Sequence, residues 1–171
     1  MGRRPLSSRF MPGVYVFPGG VVEKSDFLVN RYFALTSKLE RAKIKTRSLS
    51  HTISLLLAGI RETAEETGLY LAERKSFNKP LLNSSNYTWK DFIKKSYIPN
   101  INKLYFFGRA ITPSSLKIRF HARFFISFYN YYEGSLRSNG ELENIDWIPL
   151  DKAKNNKIAD VTEFMIDEIL K

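Results

Sequence analysis

Eight residues, Arg61-Glu62-Thr63-Ala64-Glu65-Glu66-Thr67-Gly68, place three carboxylates within one and a half helical turns. A second cluster, Phe17-Pro18-Gly19-Gly20, lies well upstream. Glutamates three and four apart on a helix are neighbours, and each like-charged pair costs roughly 0.2–0.5 kcal/mol. The C-terminal end of a helix carries partial negative charge, which adds a similar penalty. Arg61 offsets only part of this. A bound divalent cation would supply a reason for the arrangement, because hard cations prefer clustered carboxylate oxygens. A solvated polar face is the alternative that glutamate-rich turns in general support.

The element that must position these groups is a helix over residues 51–67. Ile53, Leu56, Leu57, Ile60 and Ala64 recur at spacings of three and four, one apolar stripe of a 3.6-residue period. At about 100° per residue, Glu62, Glu65 and Glu66 fall opposite Ile60. Gly68 is a natural stop just past the end. Upstream, residues 13–17 read as a short strand ended by Pro18-Gly19-Gly20, where glycine lets backbone approach a metal or phosphate.

Together these residues resemble the Nudix box, G-x5-E-x7-R-E-U-x-E-E-x-G-U, where U is bulky and apolar. Gly20 takes the first glycine, and Asp26 stands where the family has Glu. Arg61, Glu62, Glu65, Glu66, Gly68 and Leu69 fit the second half, with Thr63 at a position that is usually apolar. Residues 27–60 separate the halves, 34 positions instead of seven, so the box is split by about 27 residues. A split box resembles the Nudix group that includes the peroxisomal coenzyme A diphosphatase of mammals and its bacterial relatives. Met1-Gly2-Arg3-Arg4 resembles the end of that group's first strand, and Phe10 to Val16 leads into the glycines in the same way. Arg109-Ala110-Ile111-Thr112-Pro113 and Arg119-Phe120-His121-Ala122-Arg123-Phe124-Phe125 resemble a later segment, with His121 where Asp is usual. Glu141 to Trp147 resembles a late strand.

The resemblance implies an α+β fold, the α/β/α Nudix sandwich, with a mixed sheet between helices. It implies one domain over residues 1–171, with 27–57 as a helical insertion inside the box. The chain begins inside what the family would call strand one, so the first strand is expected to be missing. Such an open edge would invite a homodimer. Metal-dependent hydrolysis of a diphosphate is the implied reaction, with coenzyme A or acyl-coenzyme A as substrate and Mg2+ or Mn2+ held by the Gly20 carbonyl, Glu62, Glu65 and Glu66. ADP-ribose, nucleotide-sugar and dinucleotide diphosphatases are the alternative within enzymes. A non-catalytic module that binds nucleotide or RNA is the alternative of another class.

Either Glu62 or Glu66 would take the proton from water, with Glu62 ahead. Arg61 and Asp26 would form an orienting ion pair, longer or water-bridged because Asp is a methylene shorter than Glu. Asp26 could equally cap the insertion helix. Arg3, Arg4 and Arg9 are near enough to the glycines to reach phosphates; Arg4 and Arg9, with Gly19 and Gly20, are the candidates for substrate binding, against a solvated hairpin loop. Glu133, Glu141 and Glu143 compete as a further late-loop carboxylate. The only histidines, His51 and His121, have no metal-ligand spacing. His51 falls near a helix start, and His121 reads as a core or edge residue on an aromatic strand.

The rest of the chain reads as a helix over 26–42, with Leu28, Tyr32, Leu35 and Leu39 as its stripe. A short helix candidate lies at Trp89–Ile93. Strands are expected over 103–110, 117–129 and 143–149, and helices over 151–156 and 160–170. Asp160 would cap the last helix, with Phe164, Ile166, Ile169 and Leu170 as its apolar residues. Residues 70–100 carry no clear pattern otherwise. The 171 residues are 43% apolar and 14% aromatic, which suits a packed fold. Without cysteine there is no disulfide framework and no thiolate site. No apolar run reaches a membrane span, the basic start lacks the apolar core of a secretory signal, and the end carries no peroxisomal address. A cytoplasmic protein with no membrane partner is expected. The net charge of +10 and pI near 9.8 suit a polyanionic ligand. A small-molecule diphosphate is the expected partner, ahead of nucleic acid. A Lys/Asn/Ile-leaning composition explains the charge equally well.

Overall fold

The computed structural model describes residues 1–34, 42, 44–75, 86–115 and 119–171. Helix α2, Leu49–Thr67, is the central element. Ser48 caps it, accepting a hydrogen bond from the His51 backbone N–H, and Gly68 ends it in a left-handed conformation (φ 71°). The stripe read from spacing is the buried one: Ile53, Leu56, Leu57, Ile60 and Ala64 are all buried. They pack on Leu71 and Ala72 of β3 (Leu69–Arg74). Trp89 and Phe92 of helix α3 (Tyr87–Lys94) close the same core.

Strand β3 is the middle of an antiparallel three-stranded sheet, between β4 (Tyr97–Pro99) and β7 (Tyr132–Gly134). Strands β5 (Tyr105–Ile111) and β6 (His121–Ile126) form an antiparallel hairpin with a bulge between Phe106 and Gly108. Helices cover both of its faces. Gly59 of α2 lies against Leu104 and Phe125, while Gly108 lies against Met165 of the last helix, α5 (Asp160–Leu170). A helix α4 (Leu150–Ala153) precedes α5. This is the helix–sheet–helix layering expected of the α+β sandwich. Among the described residues the ladders are antiparallel, and the parallel element is a single bridge, Tyr15 to Ile158.

The first strand, expected to be missing, is present over two residues. β1 (Gly2–Arg3) pairs antiparallel with β2 (Tyr15–Val16). On its other side, Arg3 and Glu143 exchange two backbone hydrogen bonds of 2.7 Å each. Arg3 is therefore flanked on both sides, so the open edge expected to promote a homodimer is already paired at this residue.

Several expectations are corrected. The helix expected over 26–42 is a shorter one, α1 (Lys24–Val29), running into a 3-10 turn at Asn30–Tyr32 and then extended backbone at Phe33. Asn30 fixes that break: its Nδ2 donates to Ser50 O, Ser50 Oγ and Ser54 Oγ of α2. Leu28 is exposed and Val29 is buried; Leu35 and Leu39 lie outside the described residues. Residues 144–149 form no strand: Asn144, at φ 48°, interrupts the extended backbone between the Arg3–Glu143 bridge and the two backbone hydrogen bonds that Asp146 exchanges with Met1. Asp160 is the first residue of α5, preceded by Ala159 as its cap. That helix buries Thr162, Met165 and Ile166, leaving Phe164 and Leu170 exposed. The strand expected from 117 starts at His121, with 117 and 118 outside the described residues. Among the described residues no helix is long and apolar enough to cross a membrane.

Candidate active site

The C-terminal two turns of α2 meet the glycine loop after β2 and the first turn of α1. Arg61 is at the centre and is 1% exposed. Its Nε and Nη2 donate to the two oxygens of Asp26, at 3.0 and 3.1 Å. Nη1 donates to Glu62 Oε1 and Glu65 Oε2, each at 2.9 Å, and Nη2 also donates to the Val21 carbonyl at 2.9 Å. A guanidinium has five N–H donors, and every one is used. The Asp26 pair is thus direct and bidentate; the shorter side chain is accommodated because α1 brings its backbone close. Asp26 also accepts from the Glu23 backbone N–H at 2.8 Å, so it caps α1 while holding Arg61. Burial would lower the Arg61 pKa, but Asp26, Glu62 and Glu65 outweigh it and hold the guanidinium charged.

The three glutamates divide. Both oxygens of Glu65 are engaged: Oε2 with Arg61, and Oε1 with Thr88 Oγ1 at 2.7 Å and Asn86 Nδ2 at 3.3 Å. Glu62 and Glu66 are both buried and turn toward the glycines. Glu66 Oε2 accepts from the Gly19 backbone N–H at 2.9 Å. A Cβ on Gly20 would sit 2.4 Å from Glu62 Oε1, so the carboxylate fills the space a side chain would need. We expect Gly20→Ala to push Glu62 aside and lower kcat about 10²-fold while the protein still folds. Kinetics paired with thermal unfolding would show a matched loss of both if this position only supported the fold.

Negative charge outnumbers positive here, since Asp26, Glu62 and Glu65 share the one Arg61, in a chain that is otherwise basic. Burial raises the Glu66 carboxyl to about 8, and Glu62 and Glu141 push the same way against the Gly19 N–H and Arg4. Burial also raises Glu62, with Arg61 opposing and Glu65 and Glu141 adding to it. Burying a carboxylate destabilises its charged form, and a divalent cation would reverse that. Among the described residues, no three carboxylate or histidine side chains stand together as a ready-made ligand group. The donor set that fits a hard cation is the pair Glu62 and Glu66 beside the Gly19–Gly20 backbone, with Glu65 held next to them.

The other candidates separate. Glu141 acts electrostatically on both Glu62 and Glu66. Glu133 is paired with Arg74 at 2.9 Å, and Glu143 with Arg3 at 2.7 Å. Arg4 acts on Glu66, and its Nε donates to the Phe10 carbonyl at 2.8 Å. Arg9 is exposed in the same loop. Sequence reading missed Thr88, Asn86 and Glu23. A capping signal marks Asn86 before its helix, but nothing local says that the cap faces Glu65. His51 lies on the first turn of α2 in ring contact with Phe27, and His121 is exposed at the start of β6, a strand edge and not the core. A cleft bounded by Tyr15, Trp147, Pro149 and Lys152 includes none of the carboxylate-turn residues.

No protein-family model matches the chain. It is 34% identical to the acyl-coenzyme A diphosphatase NUDT19 of Xenopus laevis over 97 residues, which cover 44% of this chain and 26% of that protein. The chain thus spans about a quarter of the length of the curated relative it matches. Its backbone superposes on the crystal structure of a NUDIX hydrolase from Alicyclobacillus acidocaldarius with a TM-score of 0.70 and 22% identity, covering 97% of this chain and 80% of that one. The fold is the Nudix fold, and the sequence resembles an acyl-coenzyme A diphosphatase.

Proposed function

We propose that this chain hydrolyses the diphosphate bond of a nucleoside-diphosphate-linked compound, coenzyme A or an acyl-coenzyme A, with Mg2+ or Mn2+ as cofactor. The observation that carries the reading is the buried pair Glu62 and Glu66 facing the Gly19–Gly20 backbone, where four carboxylates gather around the one guanidinium of Arg61. The likeness to an acyl-coenzyme A diphosphatase supports the substrate class.

Glu62, Glu66 and the Gly20 carbonyl would hold the cation, which would neutralise phosphate oxygens and acidify a bound water; Glu65, expected as a further ligand, has both oxygens engaged by Arg61, Thr88 and Asn86. Arg61 does not touch substrate. Its hydrogen bonds to Asp26 and Val21 fix the guanidinium, and the two from Nη1 hold Glu62 and Glu65 in place, so little reorganisation is needed during the reaction. The glycine loop lets the diphosphate approach the carboxylates without a side chain between them. Glu62 accepts a proton from the attacking water. A new P–O bond forms from that water, the bridging P–O bond breaks, and the leaving phosphomonoester departs with the electron pair. Arg4, already within electrostatic reach of Glu66, screens the incoming phosphate charge. For coenzyme A the products are 3′,5′-ADP and 4′-phosphopantetheine.

The test is a panel of coenzyme A, acyl-coenzyme A, ADP-ribose, nucleotide sugars and dinucleotides, with Mg2+ and then Mn2+, products being identified by mass. Coenzyme A species are expected to give the highest kcat/KM, and Glu65→Gln to reduce it. Turnover of none of these diphosphates would end the enzyme reading; salt-dependent RNA binding without turnover would favour a binding module.

A pH effect follows from the raised carboxyls. A carboxyl whose folded pKa is raised binds its proton more tightly in the folded state. The resulting stability is complete below about 4.5 and is lost as pH rises through about 8. Without metal, Tm is expected to fall between pH 5 and 9 by roughly 5–10 °C, of order 2–4 kcal/mol. The falling net charge of this basic chain works in the opposite direction, so Glu66→Gln is the control: it should flatten the slope, as should saturating Mg2+. A slope unchanged in Glu66→Gln would place its origin elsewhere.

A further inference from the structure

We propose that Arg109 and Arg123, with His121 beside them, form a second anion site that binds a phosphomonoester of the substrate. Arg109 and Arg123 are direct cross-strand partners in the β5–β6 hairpin, two residues from the Ile111–His121 pair and on the same face of the ladder. Like charges placed opposite one another across a ladder are destabilising. No carboxylate among the described residues forms an ion pair with either arginine. Arg123 donates to the Ile44 and His121 carbonyls at 3.3 and 3.4 Å, which orients its guanidinium without neutralising it. Arg109 is exposed, and its side chain makes no hydrogen bond among the described residues. Burial and Arg109 lower the Arg123 pKa, and burial, Arg123 and Arg109 lower that of His121. A dianionic phosphate accepting from both guanidinium groups would turn this repulsion into binding.

The location suits a substrate that also reaches the carboxylate turn. Arg109, His121 and Arg123 alternate onto the face of the hairpin where Phe125 meets Gly59 of α2, and Glu62 and Glu66 follow three and seven residues further along the same face of that helix. The ligand that fits is an adenosine carrying a phosphomonoester apart from its diphosphate. The link to turnover rests on the function proposed above, but the site itself is tested by binding alone.

The experiment measures calorimetric affinities of 3′,5′-ADP and 5′-AMP in metal-free buffer, for wild type, Arg109→Ala and Glu66→Gln. Wild type and Glu66→Gln should prefer 3′,5′-ADP by about tenfold or more, the scale of a charged hydrogen bond, and Arg109→Ala should bring the two within about twofold. Arg109 is exposed, and an unchanged unfolding midpoint would show that its variant folds. Equal wild-type affinities (including no binding of either), a preference that survives Arg109→Ala, or inorganic phosphate binding as tightly as 3′,5′-ADP would each overturn the proposal. Coenzyme A turnover in the same preparations reports separately on the catalytic reading.

Discussion

Replacing Arg61 with leucine is expected to cost about 3–5 kcal/mol of unfolding free energy, the range seen when one member of a buried ion pair is removed. Chemical denaturation would read it directly. Asp26 is fully buried, and both of its oxygens rest on Arg61. Leucine would strand that carboxylate, and would also leave the Val21 carbonyl and one oxygen each of Glu62 and Glu65 without their donor. Lysine should recover little, since it offers a point charge where a planar fork satisfies four groups. The double variant Asp26→Leu with Arg61→Leu should regain part of the loss, because the fully buried Asp26 carboxylate is no longer stranded while Glu62 and Glu65 still lack their donor. A single-variant cost below about 1 kcal/mol would mean that the hub is solvated and does not organise the turn.

Glu62→Gln is expected to lower kcat by about 10²–10⁴, the usual contribution of a positioned acid–base group, with little change in unfolding midpoint. Glutamine keeps the shape and one oxygen for Arg61 Nη1, so the fold loses little. It cannot accept a proton from water near neutral pH. Glu62 is chosen over Glu66 because Arg61 touches it and favours its ionised form, whereas Glu66 has no cation in contact and is pushed up to about 8. Steady-state kinetics on both variants decide. A Glu62→Gln enzyme of near wild-type kcat beside an inactive Glu66→Gln enzyme would transfer the proton-accepting role to Glu66.

Where sequence reading succeeded, the information was local. The five apolar residues of α2 bury as their spacing requires, and Gly68 stops the helix in the one conformation that favours glycine. Where it failed, a distant partner decided. The helix expected over 26–42 breaks because Asn30 is tied to Ser50 and Ser54. The strand expected over 143–149 is interrupted where Asn144 turns between the Glu143 and Asp146 contacts with the first segment. The Asp26–Arg61 pair, expected to be longer or water-bridged, is direct, at 3.0 and 3.1 Å.

Spacing alone thus determined that three carboxylates share one helical turn near a glycine pair, because a 3.6-residue period fixes which side chains are neighbours. It could not say which carboxylate is left facing the glycines. Only the tertiary structure decided that: Thr88 and Asn86, more than twenty residues away, turn Glu65 aside, and the Gly20 backbone closes on Glu62. The same holds for Arg109 and Arg123, since the hairpin register, bulge included, is what sets two like charges face to face. Helical neighbours are written in the period of the chain, whereas contacts across a fold depend on how separate elements pack to bury their apolar faces.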